Sequence, residues 1–457
     1  MLIKPWQRLR TTFIICLTAG ALIAPFANAS ATETTQSEHP EKIILVIADG
    51  MGFPFLSAYR YFKDGRNATL AADIAPTFFD THLVGVASTY PADDTLITDS
   101  AASATALATG VKTYNGAISV DAEGNPIPTI MQHARKQGWL TAAIATTRIT
   151  HATPAAFFAH VPSRRMENEI ADQMSAVDEN GKPAFDLLLG SGRRHFVRED
   201  AEGNRLSHLR TLSNRGVRVI DSFEQLKTQQ RLPLLGLFYE DSFPYVIDDE
   251  QRLEMMSREG IRLLDNTDKP YVLMIEASMV DWCGHANDIA CAMHEMAELE
   301  ELMEYLVAYA AENPNTQIIL TADHSTGGLT LGADGEYKFR AGDIHHIGRG
   351  LRTMAVDMNT MPAIDWDAYI DKYLPFTLTV DHQEALKTLA HSSSDRRRAE
   401  IQQVLVDIVR FHTGAGWTTG GHTGEDVPVI AIGPWSDHFR GFQDHTDIAK
   451  QLFEWVR

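Results

Sequence analysis

The stretch KIILVIADG, Lys42 to Gly50, is a continuous apolar run that stops on an acid, Asp49. Three others read alike. WLTAAIATTRITHAT runs from Trp139 into His151 and Thr153. KPYVLMIEASMVDWCGHA, from Lys269, passes Glu276, Asp281 and His285, and TQIILTADHSTGG, from Thr316, reaches Asp323 and His324. Short β-rich apolar runs separated by helical patterns mark strands buried on both faces of a parallel sheet. DIACAMHEMAELEELMEYLVAYAAEN, from Asp288, supplies one such helical pattern and stops at Asn313-Pro314. The expected fold class is α/β, a central and mostly parallel sheet flanked by helices.

A lone Asp after a strand is ordinarily the cap of the next helix, and a lone His such as His422 is ordinarily structural. In open α/β sheets, however, ligands gather beyond the carboxyl ends of the strands, so acids and histidines closing several strands converge in space. Independent capping does not predict Asp49, Thr153, Glu276, Asp281, His285, Asp323 and His324 together. Mixed Asp/His sets suit zinc, and Asp/Glu/Thr oxygens suit magnesium.

LITDSAASATALATG, Leu96 to Gly110, places Ser100 between Asp99 and a run of small helix formers. One reading is a helix cap. The other is a nucleophile aimed at an anion held on the helix N-terminus.

At the N-terminus, MLIKPWQRLR carries Lys4, Arg8 and Arg10, TTFIICLTAGALIAPF is apolar, and ANAS supplies a small-residue cleavage site. This is the three-part pattern of a secretory signal peptide, expected to be cut after Ala29 and to leave residues 30–457 as the mature chain, periplasmic or secreted. The apolar part is short and broken by Pro25, which argues against an anchor, and no other apolar run is long enough to span a bilayer. Net charge moves from −20 to −23 on cleavage, since the removed segment carries three basic residues and no acid. Such an acidic chain is not expected to bind nucleic acid, and it must attract an anionic substrate locally, by metal ions or a buried Arg. Cys283 and Cys291 remain, in a compartment where they could pair. On one continuous helix they would lie about 12 Å apart, beyond disulfide reach, so a bond requires the chain to turn through GHAND.

Six motifs, ADGMG, TDSAASATALATG, HATPAAFFAHVPSRR, IEASMVDWCGHAND, TADHSTGG and GGHTGEDVP, closely resemble the motif set of the alkaline phosphatases in order and spacing. The resemblance covers most of Glu41 to about Leu331 and resumes around Gly414. Between them, at about residues 332–413, lies an insertion, expected to form a crown-like region on the sheet's active edge.

The resemblance implies a metal-dependent phosphomonoesterase with two Zn2+ and one Mg2+. Asp281, His285 and His422 would bind the first zinc. Asp323, His324, Asp49 and the Ser100 oxygen would bind the second. Asp49, Glu276 and Thr153 would bind magnesium, and Arg164, oriented by Asp99, would grip phosphate with its planar fork. Ser100 would then both cap the helix and form a phosphoserine. His151 and Trp282 stand where some bacterial members carry Asp and Lys, which implies an altered third site. The partners implied are small phosphate monoesters and a second copy of the chain in a homodimer.

The rivals are a sulfatase or phosphodiesterase of the same superfamily and a non-catalytic exported metal-binding protein. A Ser-His-Asp hydrolase is disfavoured because no Gly-x-Ser-x-Gly elbow occurs.

Overall fold

The computed structural model describes residues 37–65, 74–199, 203 and 205–457. The expected signal peptide lies outside the described residues. Residues 37–457 form one compact unit, and no helix among the described residues is long and apolar enough to cross a membrane.

Ten strands among the described residues make one sheet. In chain order they are β1 (Lys42–Ala48), β2 (Leu83–Ser88), β3 (Leu140–Arg148), β4 (Leu187–Ser191), β5 (Arg218–Ile220), β6 (Leu234–Leu237), β7 (Tyr271–Ala277), β8 (Thr316–Thr321), β9 (Val427–Ile432) and β10 (Gly441–Asp444). Across the sheet the order is β10-β2-β9-β8-β1-β7-β3-β4-β6-β5. The four apolar runs are the neighbours β8, β1, β7 and β3, all parallel. Each is almost wholly buried, as an unbroken apolar run demands. Their register aligns the strand exits: Ile47 faces both Glu276 and Thr321, and Ala145 faces Glu276. Only β9 runs against its neighbours.

Seven helices frame the strand exits and the core around them: α1 (Ser100–Thr109), α2 (Ala152–Phe158), α3 (Leu253–Asp265), α4 (Met279–His285), α5 (Ile289–Glu312), α6 (Leu351–Thr360) and α7 (Arg397–Thr413). Every residue of α1 is buried, which Ala, Ser and Thr permit because they let a helix lie close to its neighbours. Asp99 caps it by accepting from the Ala102 N–H, and Gly110 closes it in the left-handed conformation. The helix from Asp288 forms as spaced: Asp288 caps α5 and Asn313 ends it.

Cys283 and Cys291 are bonded, with Cα atoms 5.5 Å apart. The continuous helix that would have separated them does not form. α4 stops at His285, Asn287 turns left-handed at φ 53°, and α5 starts after Asp288. The region expected to be an insertion, at about residues 332–413, is mainly helical, and Leu351 and Met354 of α6 and Leu405 and Ile408 of α7 join the apolar core of the whole unit.

Candidate active site

The strand exits deliver their acids to one place. Asp49 follows β1, Glu276 lies in β7, Asp323 and His324 follow β8, and all four are fully buried. The turn after Asp49 needs glycine: Gly50 has φ +79°, and a Cβ there would stand 2.6 Å from the Asp281 Cα. α1 brings Ser100 against this cluster, its Oγ 3.2 Å from His324 Nε2.

Three groups of side chains converge. In the first, His285 Nδ1 donates to the Gly420 carbonyl at 2.7 Å and His422 Nδ1 to the Thr98 carbonyl at 2.9 Å. A ring nitrogen fixed as donor leaves the other bare. The two bare Nε2 atoms face each other at 3.2 Å and face Asp281 at 3.4 and 3.6 Å. Two lone pairs and a carboxylate aimed at one point form a cradle for a cation.

The second group centres on His324. Thr326 Oγ1 donates to Asp281 at 2.5 Å and lies 3.2 Å from His324 Nδ1, so that nitrogen is the donor of the pair. His324 Nε2 then faces Asp323 at 3.2 Å and Asp49 at 3.5 Å. Asp323 Oδ1 is held by the backbone N–H groups of Gly50 and His324. In the third group, ligand atoms of Asp49, His151 and Glu276 lie within 4.8 Å of one another. Thr153, in the first turn of α2, stands near Glu276.

Both oxygens of Asp49, both of Glu276, Asp323 Oδ2, Thr153 Oγ1 and His151 Nδ1 are buried without a hydrogen-bond partner. Burial raises Asp49 well above the usual carboxylate range, and Asp323, Asp281 and Glu276 push the same way. Burial and Asp323 likewise push Glu276 up to about 8. Burial would raise Asp323 too, but His324 and the Gly50 N–H outweigh it and hold it low. Buried carboxylates massed without partners are costly, and divalent cations relieve that cost. The donor set of three groups therefore fits bound metal.

Arg164 pairs with Asp99, the residue that precedes Ser100. Its Nη1 donates to Asp99 at 3.0 Å and its Nη2 meets His151 Nε2 at 3.2 Å, leaving its other N–H groups for a ligand. Asp99 also accepts from the N–H groups of Ala102 and Gly116 and is thereby fixed. Trp282 packs edge-on to His151, ring centres 6.0 Å apart.

The ligand-atom groups differ from the expected grouping: Asp281 falls in both the first and the second, His151 joins Asp49 and Glu276 in the third, and Asp323 falls in none of the three, although it lies 3.2 Å from His324 Nε2. Sequence reasoning missed two residues. Thr326 braces Asp281 and His324, and its position two residues beyond His324 was a signal for it. Asn115 accepts from the Asp99 N–H at 2.7 Å, and nothing in its local sequence marked it.

The profile of the family described as "Alkaline phosphatase" matches residues 41–457. The chain belongs to the alkaline phosphatase family. Alkaline phosphatase 3 of Bacillus subtilis is 36% identical over 434 residues, covering 94% of this chain and 92% of the relative. The Escherichia coli alkaline phosphatase is 30% identical over 354 residues, covering 67% of this chain and 75% of that one. The crystal structure of a cold-active alkaline phosphatase from a psychrophilic Shewanella superposes with a TM-score of 0.82 at 38% identity, over 91% of this chain and 100% of that one. As a family member the chain is a metal-dependent phosphomonoesterase with the family's α/β fold.

Proposed function

We propose that this phosphomonoesterase is exported, acts on small phosphate monoesters, and works through a phosphoserine on Ser100. The observation that carries the reading is the Ser100 hydroxyl at a helix N-terminus, 3.2 Å from His324 and next in the chain to Asp99, which holds Arg164. Backbone N–H groups and the positive helix end there favour phosphate. Arg164 binds two phosphate oxygens, with Asp99 holding its other edge. Ser100 Oγ attacks phosphorus in line. The Ser–O–P bond forms as the ester P–O bond breaks, and the alcohol leaves with a proton. Water then attacks phosphorus, the bond to Ser100 breaks, and inorganic phosphate departs.

Asp281, His285 and His422 would hold one Zn2+, Asp49, Asp323, His324 and Ser100 a second, and Asp49, Glu276 and Thr153 one Mg2+ next to His151. Such cations supply Lewis-acid stabilisation of charge on the attacking and leaving oxygens and activate water. Export rests on the pattern of residues 1–29, and assembly as a homodimer rests on the family resemblance.

Ser100→Ala is the test, read with p-nitrophenyl phosphate and metal analysis together. Turnover is expected to fall at least about a thousandfold with metal retained. Unchanged turnover would overturn the assignment. Retained metal with no turnover in the wild type would favour the non-catalytic binding protein.

A further inference from the structure

Beside the site lies a recess of about 380 Å3, walled by Phe243, Tyr245 and Trp282 and bordered by Arg349 and Arg352. It adjoins the phosphate end through Trp282, which packs on His151, which in turn contacts Arg164. A space of this size takes an aromatic ring with a substituent.

Its polar groups are unevenly used. Arg349 is paired with Asp357 at 2.9 Å. The wall's acid, Asp248, is occupied in holding the start of α6, accepting from the Gly350 N–H at 3.1 Å and Thr353 Oγ1 at 2.5 Å. Arg352, in the first turn of α6, is exposed and pairs with no carboxylate among the described residues. Its neighbour is Tyr245: the guanidinium lies within reach of the buried Oη, and the phenol's own proton is given to no acceptor among the described residues. Burial pushes that phenol up to about 12, so it stays a neutral donor. A guanidinium that no carboxylate neutralises and a hydroxyl with its proton free to donate thus border flat aromatic faces, on a chain of net charge −20.

We propose that this recess receives the substrate's leaving group and favours phosphate monoesters whose leaving group combines an aromatic ring with a second negative charge. The ring lies against Trp282 and Phe243, and the charge meets Arg352 and the Tyr245 hydroxyl. The proposal rests on the phosphomonoesterase reading and adds only binding: the bonds made and broken are those of the Ser100 reaction.

The experiment compares wild type, Arg352→Ala and Arg352→Lys in the metal-loaded enzyme on 4-carboxyphenyl phosphate, phenyl phosphate and glycerol 2-phosphate. Each variant is compared with wild type on the same ester, so differences in leaving-group acidity cancel. Arg352→Ala is expected to lower kcat/KM for the carboxylated ester about tenfold, mainly through KM. The other two esters should change less than about twofold, Arg352→Lys should restore most of the loss, and added salt should shrink the wild-type effect. Equal losses on all three esters, or no loss on any, would overturn the subsite. Failure of the underlying reading looks different: phenyl phosphate would be turned over equally well without Ser100.

Discussion

Acids stand at the exits of parallel strands in two parts of this sheet, and they behave in opposite ways. Beyond the outer strands β5 and β6, Asp221 pairs with Arg193 at 3.1 Å, and Asp241 pairs with Arg148 at 3.0 Å and Arg194 at 3.3 Å. Asp241 keeps more than half of its side-chain surface in water. At the ends of the central strands, Asp49 and Glu276 are fully buried, and among the described residues no Arg or Lys is paired with them. The local rule is the same in both places. What differs is depth in the sheet and the nature of the neighbours, and that difference separates an ion pair from a buried carboxylate fit to hold a cation.

The sharpest way to break the comparison is to neutralise one acid of each kind. Asp49→Asn should lower turnover about a thousandfold, since several kcal/mol of charge stabilisation go with the metal, and elemental analysis should show that metal missing. Asp241→Asn should leave turnover within about twofold and cost under about 1 kcal/mol in denaturant unfolding, as solvated pairs do. Equal effects from the two would dissolve the distinction.

A smaller effect is expected at Arg164, which pairs with Asp99 and is proposed to bind phosphate with its remaining N–H groups. Arg164→Ala should cost roughly ten- to a hundredfold in kcat/KM and weaken inhibition by inorganic phosphate, the range of one or two charge-assisted hydrogen bonds. Inhibition by phosphate at undiminished strength would place Arg164 with the structural pairs instead.

The smallest effect tests an acid that is both buried and paired. Glu295, in α5, lies 3.6 Å from Arg252 and accepts from the Val246 N–H. Burial pushes it up to about 7 against the attraction of Arg252. Below its ordinary value of 4.5 both states hold the proton. As pH rises towards 7 the unfolded chain releases it first, so this group subtracts stability across that window. Glu295→Gln should flatten the fall of melting temperature between about pH 5 and 7. A slope equal to that of wild type would show that Glu295 is already ionised.

The central strands and their terminal acids were legible because burial on two faces leaves a continuous apolar run, and because a helix start needs a cap such as Asp99. Sharing was not legible. Asp281 serves two groups because the Gly50 turn passes against its backbone and Thr326 reaches it from beyond β8, contacts between segments far apart in the chain. The Cys283–Cys291 bond depended on a single left-handed residue, Asn287, which helical spacing does not register. The helices between about residues 332 and 413 carry no chemical motif. What seats α6 is a pair of distant carboxylates, Asp248 and Asp288, taking its first N–H groups, and neither is recognisable as such in isolation.

The reversed direction of β9 has a consequence for where a ligand can sit along the chain. Six extended residues cover about 20 Å, so the two ends of β9 lie on opposite rims of the sheet. Entering from the rim where the other strands leave, it makes the segment upstream of it, with His422, the one that meets their exits. Had it run with the others, that histidine would have been delivered to the far rim, and the first group of side chains would lack a donor.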